Sequence, residues 1–197
     1  MRPATRLAAA AALPALLGVA LLATTRTVVD DEMAWSLHPG DRVLLLPDRP
    51  RRADVVAVDD PLEPGRRVLR RVLATGGDTV RWDDASFRVN EKRLRQEDMG
   101  DVDGGRKVLR ETIWSKPPAR ANTYLPTIRN TVQLDRSGGK VTVPDGHLFL
   151  VADHRDAAAD SRLWGPVPAT AVHGVVRARW GLEGPWQPAF ALWRPEE

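Results

Sequence analysis

The chain is expected to fold as a mostly β, antiparallel sheet or barrel domain behind one N-terminal transmembrane helix. Three observations predict this. Short apolar runs of strand length recur between residues 41 and 180, separated by turns rich in Gly, Pro and Asp. Helical periodicity is almost absent beyond residue 25. Residues 7–23 form an uncharged apolar run, which the next two threonines extend to 19 residues, about 28 Å as a helix and enough to cross a bilayer.

Arg2 and Arg6 precede that run, which favours a cytoplasmic N-terminus and an exported main domain on the far side of the cytoplasmic membrane. Pro14 and Gly18 are tolerated in membrane helices. Residues 1–25 are read as a single-pass anchor, with a cleaved signal peptide as the alternative because small residues cluster near Ala23. Residues 41–47 read as a buried strand stopped by Pro47, residues 53–58 as a second strand, and residues 67–73 as a third. Thr75-Gly76-Gly77-Asp78 reads as a tight turn in which a glycine supplies positive φ. Residues 79–82 and 86–90 alternate in polarity and read as a short hairpin.

Residues 96–140 are polar and turn-rich, with strand candidates at 107–114 and 130–134. Residues 141–151 read as strand, turn and buried strand, and residues 171–180 as a final strand. The domain division is an anchor at 1–25, a β domain at 26–180 and a Trp/Pro-rich tail at 181–197. Within the β domain, residues 81–142 contain a variable insertion. The tail holds Trp186 and Trp193, whose rings suit either a lipid headgroup region or packing against the domain.

At 197 residues the chain has room for one core, and its formal net charge is +3. The arginines are scattered, with short clusters at Arg49-Pro50-Arg51-Arg52 and Arg66-Arg67. No basic stripe interleaves with aromatics, so nucleic acid is not expected as a partner. Membrane lipid is. There is no cysteine, which excludes disulfides and thiolate metal sites.

Three segments carry the chemistry. Glu32-Met33-Ala34-Trp35-Ser36-Leu37-His38-Pro39-Gly40-Asp41 opens the soluble part. Arg70-Arg71-Val72-Leu73-Ala74-Thr75-Gly76-Gly77-Asp78 follows, and then Asp153-His154-Arg155-Asp156-Ala157-Ala158-Ala159-Asp160-Ser161-Arg162-Leu163-Trp164-Gly165. In this order they resemble the boxes of type I signal peptidases, over roughly residues 1–180. The family pattern reads Ser-Met-x-Pro-Thr-Leu-x-x-Gly-Asp, then Lys-Arg-Val-Ile-Gly-Leu-Pro-Gly-Asp, then Gly-Asp-Asn-Arg-Asp-Asn-Ser-x-Asp-Ser-Arg-x-x-Gly. The resemblance implies a signal peptidase-like β fold, a serine endopeptidase ancestry and exported preproteins as the substrate class.

By that resemblance the nucleophilic serine falls on Glu32 and the general-base lysine on Arg70. The oxyanion-assisting hydroxyl falls on Asp30, and the serine that holds the lysine falls on Ala158. A base must be able to lose its proton, and a guanidinium does not do so below about pH 12. A carboxylate at Asp30 repels a developing oxyanion. Four changes in one constellation predict lost chemistry, so no catalytic residue is expected. The replacements have opposite charge. Glu32 and Arg70 are expected to pair in a bidentate fork, the alternative being that both point to water.

Asp30, Met33, Asp153, Arg155, Ala158, Asp160, Ser161 and Arg162 are read as vestigial framework around the old site. The expected function is that of an inactive homologue that binds or scaffolds exported peptides or partners, such as an active signal peptidase. The alternative is a working signal peptidase with a displaced nucleophile, for which Ser36 is the fallback. A purely structural membrane partner is a third reading. No metal and no cofactor are expected.

Overall fold

The computed structural model describes residues 24–34, 36–83, 86–102, 106–113, 122–124, 127–128, 138–155, 158–181 and 187–188. Residues 1–23 of the anchor expected at 1–25 lie outside them, as do Trp35, the strand candidate at 130–134 and the tail tryptophans. Among the described residues no helix is long and apolar enough to cross a membrane.

The described strands are β1 (Thr25–Thr27), β2 (Arg42–Leu46), β3 (Val55–Asp59), β4 (Arg67–Thr75), β5 (Thr79–Asp83), β6 (Ser86–Val89), β7 (Lys92–Arg93) and β8 (Arg95–Val102). They continue with β9 (Arg106–Ile113), β10 (Asn122–Tyr124), β11 (Thr127–Ile128), β12 (Gly139–Thr142), β13 (His147–Val151), β14 (Val167–Pro168), β15 (Val172–Trp180) and β16 (Gln187–Pro188). The main sheet has the order β1-β2-β15-β3-β4-β13-β14, with β16 added on β15. Two smaller sheets, β12-β5-β6-β7 and β8/β10/β11 around β9, occupy the stretch read as an insertion. All pairings are antiparallel.

The main sheet is covered on both faces, which is why β3 is buried through Val55, Val56, Ala57 and Val58 instead of alternating. Val55 and Ala57 point to one face, where Val28, Met33 and Leu37 of the segment after β1 pack with Val43, Leu45 and Val176. Val56 and Val58 point to the other, where Trp164, Ala169 and Ala171 cover Val68, Leu148, Leu150 and Val175. A third cluster, with Leu73, Val80, Phe87, Ile113 and Phe149, joins the main sheet to the smaller ones.

The turn after β4 matches its expectation: Gly77 has φ of 84°, and a Cβ on Gly76 would lie 3.0 Å from the Pro144 carbonyl. Asp78 closes this turn by accepting from Thr75 N at 2.8 Å and from Asn90 Nδ2 at 3.0 Å, and by pairing with Arg52.

Two elements differ from expectation. Thr25 opens an edge strand where the anchor was read to end. Residues 95–102 form β8, the long partner of β9, inside the stretch read as turns. Their sequence Arg-Gln-Glu-Asp-Met-Gly-Asp-Val lacks alternation, and pairing with β9 overrides the local preference.

Candidate functional site

The segment between β1 and β2 is shaped by its own backbone: Val28 N donates to Asp41 O at 2.7 Å and Leu37 N to Met33 O at 2.9 Å. Met33, 1% exposed, seats the segment in the core. This fixes Glu32 beside the sheet with its carboxylate between two guanidiniums. Oε1 lies 2.8 Å from Arg66 Nη2, and Oε2 lies 3.0 Å from Arg70 Nη1. Asp30 caps the same turn by accepting from Glu32 N at 3.2 Å. Arg66 also lies 3.6 Å from Asp30, 3.6 Å from Asp60 and 3.4 Å from Glu63. One arginine thereby ties the Asp30–Glu32 turn to the loop before β4.

Glu32 and Arg70 meet, but not as a bidentate fork. The fork is turned the other way: Arg70 Nε and Nη2 both donate to the Ala159 carbonyl, at 3.0 and 2.8 Å, and Nη1 donates to Leu69 O at 2.7 Å. Glu32 Oε2 therefore receives a charge contact with no aligned N–H. The reason is local. The side chain leaves β4 towards Trp164, whose ring centre lies 5.3 Å from its Cζ, and the backbone beyond Ala158 reaches the fork first. Arg70 is fully buried. Ala158, also buried, offers a methyl where the resemblance has a hydroxyl.

Ser36 sits in a separate network. Its Oγ donates to Asp153 Oδ2 at 2.5 Å and accepts from Arg71 Nη2 at 3.0 Å. Arg71 grips Asp153 through Nε at 2.7 Å and Nη2 at 2.5 Å, and spends Nη1 on Ala53 O at 2.8 Å. All three side chains are buried. A hydroxyl placed this way is an internal hydrogen-bond bridge: its proton points at a carboxylate already neutralised by a guanidinium, and its lone pairs face that guanidinium.

The third segment is a clasp. Asp160 caps the single-turn helix α1 (Ser161–Trp164), accepting from Arg162 N at 3.0 Å, while its Oδ2 accepts from Ala152 N at 3.1 Å. Arg162 closes back on Asp160 through Nε and Nη2, both at 2.8 Å, and donates to Arg155 O at 2.7 Å. Ser161 Oγ accepts from Leu150 N at 2.9 Å. Arg155 lies over the Phe87 ring and pairs with Glu111 at 2.9 Å, both fully buried. His154 N donates to Glu32 O at 3.0 Å, joining this clasp to the first segment.

Burial alone would raise the Asp160 pKa, but the Arg162 charge and the N–H donors of Arg162 and Ala152 outweigh it and hold the carboxyl below its ordinary 3.8. A depressed folded pKa means the carboxylate contributes fully above the unfolded value, and the contribution is lost as pH falls through the lower folded one. Asp160→Asn is therefore expected to be less stable than the wild type at neutral pH. The gap should narrow below about pH 4 in acid-unfolding curves.

Each framework residue named from the sequence thus lies in this one region, while Arg66, Arg71 and Glu111 do comparable structural work and were not singled out. Arg66 and Arg71 stood in quoted runs as basic residues. Glu111 carried no signal, because its partner is 44 residues away. Among the described residues no three His, Asp or Glu side chains converge to hold a metal ion.

A mostly antiparallel β domain whose three boxes are tied together by buried ion pairs and hydrogen bonds defines a signal peptidase-type architecture. Residues 2–181 match the family model described as signal peptidase, peptidase S26, and the chain belongs to that family. It is similar to signal peptidase I of Pseudomonas aeruginosa, 30% identical over 148 residues that cover 73% of this chain and 49% of that protein. It is similar also to signal peptidase I of Aquifex aeolicus, 24% identical over 78% of this chain and 73% of that one. Signal peptidase I of Rickettsia canadensis is 31% identical over 58% of this chain and 45% of that protein. The chain thus spans about half the length of the Pseudomonas and Rickettsia relatives. A crystal structure of a signal peptidase I from Enterococcus faecalis matches at 26% identity and a TM-score of 0.42, over 66% of this chain and 99% of that one.

Proposed function

We propose that this chain is a catalytically silent signal peptidase homologue that binds or scaffolds exported polypeptides or their partners at the membrane. The observation that carries the reading is Arg70. At the base position stands a buried guanidinium, always charged, with Nε, Nη1 and Nη2 all committed to backbone carbonyls. Glu32, at the nucleophile position, is clamped between Arg66 and Arg70. The displaced-nucleophile reading finds no support in Ser36, which is buried and bonded to both Asp153 and Arg71.

The test uses the full chain in nanodiscs with a purified preprotein. The preprotein is expected to co-sediment with the discs and to keep its full length. Release of a shortened product, or no association at all, would count against the proposal. Ser36→Ala should leave that outcome unchanged. It is expected to lower stability by about 1–3 kcal/mol, because Asp153 and Arg71 each lose a buried partner, as thermal melting would show.

A further inference from the structure

We propose that Arg70 is an intramolecular plug whose guanidinium closes the open half-edge of β4 against extended polypeptide, with Glu32 and Arg66 as its latch. The inference rests on the reading of an inactive homologue and says how that homologue controls its old groove.

The edge follows from the topology. β3 pairs with β4 all the way from Arg71 to Arg67. β13 pairs with it only from Thr75 to Arg71. Among the described residues, residues 67–70 of β4 therefore have a strand on one side only. The backbone direction settles which groups face the gap. Val72 exchanges hydrogen bonds with the β3 side, N to Asp54 O at 2.8 Å and O from Ala53 N at 2.7 Å. Backbone groups alternate sides along a strand, so those of Arg67 and Leu69 face away from β3, into the open side. A half-edge like this is where an extended chain adds through its main chain.

Here the place is taken. The Leu69 carbonyl, one of the outward acceptors, receives Arg70 Nη1 at 2.7 Å, and the Ala159 carbonyl receives Nε and Nη2. The guanidinium thus satisfies acceptors of both β4 and the segment before α1, as an incoming peptide N–H would. It is wholly buried against Trp164. The latch lies towards solvent: Glu32 contacts Arg70, and Arg66, with 34% of its side chain exposed, holds Glu32 from outside. Opening the groove requires the Arg70 side chain to swing out, which breaks these contacts together. A peptide that must wait for this rare state binds with its affinity reduced by the open fraction.

The experiment measures binding of a fluorescently labelled, acetylated and amidated peptide of small apolar residues to the full chain in nanodiscs, by anisotropy. Two variants are compared with wild type: Arg70→Ala, and the uncharged near-isostere Arg70→Met with Glu32→Gln, which keeps the fold if the first does not. Arg70→Ala is expected to bind roughly tenfold more tightly than wild type. Millimolar methylguanidinium should reverse that gain by refilling the slot. A peptide N-methylated at alternate positions should show no gain. Folded variants that bind no better than wild type, or a gain that survives both controls, would overturn the plug. Cleavage of the labelled peptide by wild type is read in the same samples; it would instead refute the inactive reading.

Discussion

Arg155→Ala is expected to destabilise the domain by about 3–5 kcal/mol, lowering the thermal midpoint by roughly 10 °C or more. The pair Arg155–Glu111 is wholly inside the protein, with 1% and 0% of the side chains exposed. Removing Arg155 takes its guanidinium away from a Glu111 carboxylate that stays buried, where Gln96 Nε2 also donates to it at 2.6 Å. Breaking a buried pair costs far more than the pair contributes, because the survivor keeps its desolvation penalty. The companion result separates this from lost packing: Arg155→Met combined with Glu111→Leu should recover most of the loss, since replacing both charges by apolar groups is close to neutral. A double-mutant cycle by chemical denaturation checks both numbers. The pair also joins the β8/β9 hairpin to the Asp153–Arg162 segment, so the single variant should loosen both together in hydrogen exchange.

Asp153→Ala is expected to cost a similar amount, about 3–5 kcal/mol. Arg71 would lose the carboxylate that accepts from its Nε and Nη2, keeping Ser36 Oγ on Nη2, and Ser36 would lose the acceptor of its hydroxyl, all in buried surroundings. Asp153→Asn keeps the shape and one acceptor oxygen and should cost clearly less. If Ser36 were a nucleophile awaiting activation, releasing it from Asp153 would alter proteolysis instead of stability. The expected outcome is a fall in the melting temperature of both variants, in the order Ala below Asn, with no proteolysis in either.

Most strands of the main sheet were legible from local pattern. Residues 41–47 and 147–151 are apolar runs ended by turns, and they appear as β2 and β13 with boundaries shifted by a residue or so. The turn at Gly76-Gly77 was legible because only glycine satisfies its backbone demands. β8 was not, because its residues do not alternate in polarity and its place depends on pairing with β9. The site divides along the same line. That Glu32 and Arg70 have opposite charge was visible, and they do meet. The orientation of the guanidinium was not, because it is set by carbonyls at Leu69 and Ala159, and backbone acceptors leave no mark on sequence. Arg71 with Ser36 and Arg155 with Glu111 are likewise meetings across the fold, 35 and 44 residues apart. Nothing local announces them.

If the guanidinium of Arg70 leaves the chain without a general base, one measurement shows it most directly. The full chain in nanodiscs is incubated with excess preprotein, quenched in acid, and both proteins are weighed intact by mass spectrometry. The prediction is a preprotein of unchanged mass and a chain without acyl adduct at any time point. A mature-length product, or an acyl adduct that disappears in Ser36→Ala or Glu32→Ala, would contradict it.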